Sequence, residues 1–230
     1  IWDEVYDQFG VQGFLSGNTG TQAGGWFKNE LTSVADLQGV RFRTPGLGGR
    51  VWEKLGATVT NMAAGEIFQA LQSGTLDAAE FVGPYNDLAL GFHQVAKNYY
   101  VTSFVESGLA TELVVDKAKF QELPADLQAI IKDASQAEYD QVSADFYAND
   151  PRALRTLIND HGVTARQFPD DIMEAGAKAS QEVVSELLSS DDPLVKKTAE
   201  SFVEALGILR ERTEMVDLPY QVARQKYLKY

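Results

Sequence analysis

The chain changes character at Pro124. Before this residue, short apolar segments alternate with stretches of helical periodicity, and glycine or proline separates most of them. Such alternation is typical of βαβ units, in which helices cover the faces of a mostly parallel sheet. After Pro124, apolar residues recur at helical spacing with few interruptions. The sequence therefore predicts an α/β protein whose second half is mainly helical.

Short elements are expected in the first half. The predicted strands are 40–43, 58–61, 76–80 and 109–115, and the predicted helices are 50–55, 65–72 and 85–96. In the second half, a very long helix begins at Pro124 and is expected to break at Asp150–Pro151, because Asp is a good N-cap and Pro suits the first helical position. A strand at 163–168 and helices at 169–188, 193–213 and 219–230 follow.

Composition excludes several classes of function. The 230 residues carry a formal net charge of −13, so the chain lacks the basic surface that nucleic-acid binding needs. It contains no cysteine, which rules out disulfides, thiolate metal sites and cysteine nucleophiles. No apolar run is long enough to cross a bilayer. The chain opens at Ile1 with no leader pattern, so a processed or truncated start is expected.

Sequence motifs give little support to an enzyme. No nucleophile elbow, phosphate-binding loop or dinucleotide fingerprint occurs. The two histidines, His93 and His161, share no ligand-like spacing and are interpreted as structural.

Arg43 is a candidate anion-binding residue. It ends a predicted strand just before Thr-Pro-Gly, and ligands of open α/β sheets lie beyond the carboxyl ends of the strands. A guanidinium can hold a carboxylate through two parallel hydrogen bonds. Arg41 lies two residues earlier on the same face, so local sequence does not choose between them, and pairing with a surface acid is the alternative.

Three further residues offer oxygen ligands. Gln22 lies in a glycine-rich loop where the backbone can approach a ligand closely. Glu80 ends a small apolar strand, where a buried carboxylate is costly unless it is paired or bound to a metal, and Glu106 follows in another loop. Amide and carboxylate oxygens suit hard cations such as Na⁺ or Ca²⁺. A polar turn for Gln22 and solvated loop charges for both glutamates remain the alternatives.

Four segments of the first half form a recognisable set: Asn18-Thr-Gly-Thr-Gln22-Ala-Gly-Gly-Trp26-Phe27, Asp36-Leu-Gln-Gly-Val-Arg-Phe-Arg43, Gly65-Glu-Ile-Phe-Gln-Ala-Leu-Gln-Ser-Gly74 and Asp77-Ala-Ala-Glu80-Phe-Val-Gly-Pro-Tyr-Asn-Asp87. Together they resemble the substrate-binding proteins of TRAP transporters, and within them the branch that binds 2-oxo acids or lactate with a metal ion. The resemblance extends over the whole chain, but the long N-terminal segment of the family's domain I has no counterpart here.

The resemblance implies roles for individual residues. Arg43 would clamp the ligand carboxylate, and the ligand-binding residues would be Arg43, Gln22, Asn18, Glu80 and Phe81. The metal ion, Na⁺ or Ca²⁺, would be held by Gln22, Glu80, the backbone carbonyl of Phe81, and Glu106. The family commonly has Trp where this chain has Phe81, so a carbonyl ligand survives but the indole N–H is lost.

The resemblance also implies an architecture. It is a two-lobed periplasmic solute-binding fold with a long helix that spans the domains and a helical C-terminus, lacking the N-terminal part of domain I. Residues 1–80 would form mainly lobe II and residues 81–115 the remaining part of lobe I. Residues 116–165 would supply the long connecting helix and a return strand, and residues 166–230 the C-terminal helices.

Three classes of function compete. The leading hypothesis is a periplasmic component that captures a small organic acid anion and delivers it to a TRAP membrane permease. The alternatives are a metal-dependent enzyme that uses Glu80 and Glu106, and a structural dimerisation protein. The apolar residues of the last helix, with Tyr230 adding a ring, need a surface to pack on, which is either the same chain or a partner subunit. The branch that the chain resembles includes dimers that exchange a C-terminal helix, and this resemblance implies a homodimer formed through that helix.

Overall fold

The computed structural model describes residues 1–229 and has the predicted α/β class. It divides into two compact units, Trp2–Val183 and a smaller unit that contains Val184–Tyr230 together with Ile1. Tyr230, which the sequence assigned to the last helix, lies outside the described residues. No helix among residues 1–229 has the length and apolarity that crossing a bilayer requires.

Short strands dominate the larger unit. They are β1 (Val11–Asn18), β2 (Gly25–Phe27), β3 (Arg41–Arg43), β4 (Thr58–Thr60), β5 (Ala78–Ala79), β6 (Asn98–Tyr100), β7 (Ala110–Asp116) and β8 (Thr164–Arg166). The helices that accompany them are α1 (Trp2–Asp7), α2 (Gly46–Lys54), α3 (Ala64–Ser73), α4 (Pro84–Ala89), α5 (Lys117–Glu122), α6 (Ala125–Asn159) and α7 (Asp170–Leu188). Short 3₁₀ turns lie at Val34–Leu37 and Phe92–Gln94.

The main sheet is mixed. Its order is β4-β3-β5-β2-β6-β8. β3 pairs in parallel with β4 and β5, and β6 pairs in parallel with β8, as the βαβ rhythm predicts. β2, however, runs antiparallel to both β5 and β6. The expectation of a mostly parallel sheet is therefore correct for the flanks and wrong at the centre, because the direction of so short a strand leaves no mark in its sequence.

A second sheet consists of β1 and β7, which pair antiparallel from Val11 with Asp116 to Asn18 with Ala110. The predicted strand at 109–115 is thus confirmed, but it lies outside the main sheet. α6 packs on β1.

The core has two layers, one on each face of the main sheet. Consecutive residues of a strand lie in different layers, because successive side chains point to opposite faces. Phe27 and Tyr100 belong to a cluster with residues of α2 and α7. Trp26 and Tyr99 belong to another, with residues of α3 and the end of α6. Aromatic rings fill both clusters, and Trp26 stacks on Tyr99 at a centroid distance of 4.1 Å. Helices thus cover both faces, as predicted.

The predicted break at Asp150–Pro151 is wrong. α6 runs without interruption from Ala125 to Asn159 and contains Pro151. The Asp150 carboxylate does not cap α6; it accepts a hydrogen bond from the Tyr85 backbone N–H of α4 at 2.9 Å. Packing beyond the proline, where Leu157 is fully buried, offsets the backbone hydrogen bond that proline cannot donate.

Other boundaries differ by a few residues. The predicted helix at 85–96 stops at Ala89, because Gly91 adopts a positive φ of 74° before the 3₁₀ turn. In the smaller unit, α8 (Pro193–Arg212) and α9 (Leu218–Tyr227) are joined by a π-helical segment, Thr213–Asp217. The predicted separation of the last helix from the preceding one is therefore wrong. The predicted lobe boundaries within residues 1–165 stay a prediction.

Candidate functional site

Four loops meet at one edge of the main sheet. β3, β5 and β6 run in the same direction, and β2 runs against them. The carboxyl ends of β3, β5 and β6 and the amino end of β2 therefore share that edge. Ligands of open α/β sheets bind beyond the carboxyl ends of the strands. This arrangement brings together the loops that carry Arg43, Glu80, Glu106 and Gln22.

Arg43 is fixed at the end of β3. Its Nη1 donates to the Glu80 carbonyl at 2.7 Å, and its Nε donates to the Met62 carbonyl at 3.1 Å. The guanidinium also lies 5.7 Å from the centre of the Phe81 ring. Burial lowers the pKa of Arg43, and the carboxylates of Glu80 and Glu106 oppose that shift.

Arg41, the other arginine that the local sequence offered, has a different environment. It lies at the exposed start of β3 and forms a two-pronged ion pair with Asp77, with distances of 2.8 Å from Nε and 2.5 Å from Nη2. Arg41 is therefore the surface ion pair, and Arg43 is the buried cation.

Glu80 is 1% exposed, at the end of β5. Its Oε2 accepts a hydrogen bond from the Thr44 hydroxyl at 3.1 Å and lies 4.0 Å from Arg43 Nη1. Its Oε1 has no hydrogen-bond partner among the described residues. Burial raises the pKa of Glu80 to about 8, the nearby Glu106 adds to the rise, and Arg43 and Thr44 oppose it.

Gln22 is equally buried, in the loop that leads into β2. Its Nε2 donates to the Thr19 hydroxyl at 3.2 Å, whereas its Oε1 also lacks a partner in the described part of the chain. The loop is held on both sides, because the Gln22 carbonyl accepts from the Ser103 N–H and the Ala23 N–H donates to the Val82 carbonyl. Gln22 is thus not a solvated polar turn.

Glu106 lies in the loop after β6. Its backbone N–H donates to the Ser103 hydroxyl at 3.0 Å. Burial raises the pKa of the half-buried Glu106 carboxyl, and Arg43 opposes the rise. Its carboxylate therefore shares an electrostatic environment with Arg43 and Glu80.

Asn18 and Phe81 complete the set of predicted residues. Asn18 ends β1, and its side-chain oxygen accepts a hydrogen bond from the Gly20 N–H at 2.8 Å, so it shapes the turn before Gln22. A direct role for Asn18 with a ligand stays a prediction. The Phe81 ring packs edge-on against Phe92 at 6.4 Å and forms an apolar side of the site.

The donor set fits a hard cation. Two buried oxygens, Oε1 of Gln22 and Oε1 of Glu80, have no hydrogen-bond partner in the described structure. Leaving such an atom unsatisfied costs about 1–3 kcal/mol, so a cation that bound both oxygens would relieve two penalties at once. Residues 1–229 contain no group of three or more His, Cys, Asp or Glu placed to hold a metal. Amide and backbone oxygens would therefore have to complete the coordination of a cation here.

The environment of His93 and His161 agrees with the structural role that the sequence predicts for them. His93 is buried in the 3₁₀ turn, and its ring lies against that of His161 with centroids 4.1 Å apart. Burial lowers the pKa of His93, and His161 and Lys97 add to the shift.

Sequence reasoning missed Asp87. The residue is fully buried, and its Oδ2 accepts hydrogen bonds from Trp26 Nε1 at 2.8 Å and from the Tyr99 hydroxyl at 2.9 Å. Burial raises the pKa of Asp87 to about 7, and the two hydrogen bonds from Trp26 and Tyr99 oppose this rise. Because acids are common in the first turn of a helix, Asp87 after Pro84 gave no distinct signal.

A family model described as "Bacterial extracellular solute-binding protein, family 7" (DctP) matches residues 3–191. Among curated proteins, a monocarboxylate 2-oxoacid-binding periplasmic protein of Nostoc is 38% identical over 188 residues, which are 82% of this chain and 51% of the relative. A solute-binding protein of Roseobacter denitrificans is 32% identical over a stretch that covers 64% of this chain and 45% of the relative's length. The chain spans about half the length of the curated relatives it matches.

Solved structures show the same likeness. A TRAP periplasmic solute-binding protein from Pseudoalteromonas atlantica with bound sodium and pyruvate has a TM-score of 0.90 and 35% identity, covering 99% of this chain and 68% of its own. A second such protein, from Colwellia psychrerythraea with bound calcium and pyruvate, has a TM-score of 0.90 and 38% identity. The match covers 95% of this chain and 66% of that chain. A third, from Bordetella bronchiseptica, is a mixed-occupancy dimer with calcium and picolinate, and it has a TM-score of 0.88 and 34% identity. The match covers 98% of this chain and 68% of that chain.

These matches confirm the predicted family and its fold. They also place the chain among solute-binding proteins rather than enzymes, so they do not support the alternative of a metal-dependent enzyme. The match over residues 3–191, with the site at the carboxyl ends of β3 and β5, shows that the chain belongs to the DctP family of bacterial extracellular solute-binding proteins.

Proposed function

We propose that the chain serves in the periplasm as the substrate-binding component of a TRAP transporter and captures a small organic acid anion, such as a 2-oxo acid, for a membrane permease. The observation that carries the proposal is the buried Arg43 guanidinium 4.0 Å from the Glu80 carboxylate, at a sheet edge where Gln22 Oε1 and Glu80 Oε1 are buried with no partner in the described residues. The relatives that contain pyruvate with sodium or calcium support the choice of ligand class.

Arg43 supplies the positive charge. Two carbonyl groups hold its Nε and Nη1 in place, which leaves the Nη2 group for the ligand carboxylate. A guanidinium that is already oriented loses little entropy when it binds, so the attraction is retained. This residue therefore acts as the carboxylate clamp.

A cation resolves the remaining electrostatic conflict. When they are ionised, Glu80 and Glu106 would repel an incoming anion, just as Glu106 already raises the pKa of Glu80. Na⁺ or Ca²⁺ held by Gln22, Glu80, the Phe81 carbonyl and Glu106 would neutralise that charge and attract the ligand oxygens. The donors are the hard oxygen atoms that both ions prefer.

Calorimetry with pyruvate tests the proposal. The purified protein should bind pyruvate with calcium present and bind it far more weakly after treatment with a chelator. Mass spectrometry of the ligand recovered after incubation should show intact pyruvate. Equal affinity with and without the cation removes the metal from the proposal, and conversion of pyruvate favours an enzyme.

The homodimer forms a separate part of the proposal. α8, α9 and the π-helical segment between them expose a series of large apolar side chains. Among them, Leu206, Ile208, Leu209 and Tyr220 are at least half exposed, and Met215 is 80% exposed. Helical surfaces of this kind favour contact with a protein partner. A second copy is the occupant we propose, and one structural relative is described as a dimer.

Truncation tests the dimer. Light scattering should give a dimer for the intact protein and a monomer after deletion of the residues beyond Glu214. A truncated protein that remains dimeric, or an intact protein that is monomeric, contradicts this part of the proposal.

A further inference from the structure

Asp87 is a buried carboxylate to which the proposed function gives no role. Its two oxygens serve different parts of the fold. Oδ2 accepts from Trp26 and Tyr99, which stack on each other in the core. Oδ1 faces the Val82 backbone N–H at 3.4 Å, a long hydrogen bond at the start of the loop that follows Glu80. One side chain therefore links the aromatic core to the binding loop.

The Val82 N–H belongs to the same peptide group as the Phe81 carbonyl. A trans peptide is planar, and its N–H and C=O point in opposite directions. None of the described peptide bonds is cis. A carboxylate that draws the Val82 N–H toward the core therefore turns the Phe81 carbonyl away from the core.

The other side of Val82 is also fixed. Its carbonyl accepts a hydrogen bond from the Ala23 N–H at 3.0 Å, and Ala23 follows Gln22. The Glu80 carbonyl is held in turn by Arg43 Nη1 at 2.7 Å. The backbone on both sides of the Phe81 carbonyl is thus restrained, and the Asp87 contact supplies the restraint on that peptide group itself.

We propose that Asp87 is a positioning residue that aims the Phe81 carbonyl at the cation by holding the Val82 N–H. The inference rests on the proposed cation site. Groups that orient metal ligands from outside the coordination shell are worth about 10- to 100-fold in metal affinity when they are removed. The expected role of Asp87 is therefore in cation affinity as well as in folding stability.

The two carboxylate oxygens allow a matched test. In Asp87→Asn the remaining oxygen can serve Trp26 and Tyr99, and the new amide group then faces the Val82 N–H, donor against donor. In Tyr99→Phe a bond to the other oxygen is lost, and the Val82 contact is kept. Asp150→Asn removes a neighbouring carboxylate charge, which contributes to the pKa of Asp87, without touching Val82.

The measurement is calcium affinity in the presence of pyruvate, with thermal unfolding of the metal-free variants alongside. Asp87→Asn should weaken calcium binding by about tenfold or more. Tyr99→Phe and Asp150→Asn should leave it within about twofold of the parent, because neither is expected to turn the Phe81 peptide. An Asp87→Asn protein that folds and binds calcium like the parent overturns the inference, and so does an equal loss in all three variants.

A second measurement does not depend on the variants. In the metal-free parent protein, hydrogen exchange at the Val82 amide should be slow, because the N–H donates to a buried acceptor. Fast exchange there overturns the role of Asp87. A parent that binds no calcium with pyruvate instead overturns the proposed cation site, whatever the exchange rate, so the two failures are distinguishable.

Discussion

Single residues in this chain take their roles from burial. Arg41 and Arg43 are two positions apart in one strand, yet the first forms an exposed ion pair with Asp77 and the second is 7% exposed between two carbonyl oxygens. An exposed ion pair contributes little because water screens it, whereas a buried guanidinium keeps its full attraction for an anion. A substitution at Arg41 can therefore serve as the control for the same substitution at Arg43.

Arg43→Lys should weaken binding of an organic acid anion by about 1.5–3 kcal/mol, the value of a charged hydrogen bond. Lysine keeps the charge but lacks the planar group that contacts both a carbonyl and the ligand. Arg41→Lys is the matched control and should bind like the parent. Titration calorimetry with pyruvate and calcium compares them, and equal affinities for all three proteins would exclude the clamp.

Asp87 gives a prediction about pH. Its pKa is raised from 3.8 to about 7, so the folded state holds the proton more tightly than the unfolded state does. The contribution to stability is therefore most favourable at low pH, and it declines as pH rises from about 4 to about 7. Glu80, Glu106 and Asp150 shift in the same direction.

The measurement is urea unfolding of metal-free protein across that range. The parent should lose stability as pH rises, and Asp87→Asn should show a flatter dependence because one titrating group is gone. Parallel curves for the two proteins would show that Asp87 does not titrate there.

At the scale of elements, packing decides where secondary structure ends. α6 continues through Pro151 although its sequence contains a good cap and a helix breaker. α7 packs so closely against the loop after β6 that Gly176 leaves no room for a side chain, since a Cβ there would collide with the Phe104 ring. Phe104 lies two residues before Glu106, so this contact also supports the site.

Gly176→Ala should destabilise the protein by about 1–3 kcal/mol, because the methyl group overpacks a rigid aromatic contact. Gly207→Ala in α8 is the control. A Cβ there meets nothing within 4 Å. Alanine should therefore be neutral or stabilising by up to about 1 kcal/mol, owing to its higher helix propensity. Thermal unfolding measures both, and a stable Gly176→Ala protein would show that Phe104 moves aside easily.

At the scale of the whole molecule, strand direction assembles the site. Because β2 is inserted antiparallel between β5 and β6, the loop that precedes it reaches the same edge as the loops that follow β3, β5 and β6. In this way the loop of Gln22 comes next to the loop of Glu80, where the Ala23 N–H donates to the Val82 carbonyl, although Gln22 and Glu80 are 58 positions apart in the sequence. Binding at such a point joins four loops, and it should therefore stabilise the fold as a unit.

Calcium and pyruvate added together should raise the unfolding temperature more than the sum of their separate effects. A ligand that binds only the folded state at about 100 times its Kd stabilises by about 2.7 kcal/mol. Cation and anion should reinforce each other, because each neutralises the charge that opposes the other. Differential scanning fluorimetry on chelator-treated protein checks this, and purely additive shifts would mean that the ion and the acid bind independently.

The sequence determined the α/β class, most of the helices, the family and the set of candidate site residues. Those conclusions depend on local periodicity, on glycine and proline positions, and on motifs, all of which are properties of contiguous segments. For the same reason, the sequence predicted the lengths of α3 and α7 and the position of β7 to within a few residues.

Only the tertiary structure decided the rest. The antiparallel direction of β2, the continuity of α6 and the contrast between the exposed Arg41 and the buried Arg43 depend on contacts between segments far apart in the chain. Burial, which leaves oxygens of Gln22 and Glu80 without partners and draws Asp87 into the core, is also a property of the assembled fold. Desolvation depends on every neighbour of a group, and local sequence specifies few of them.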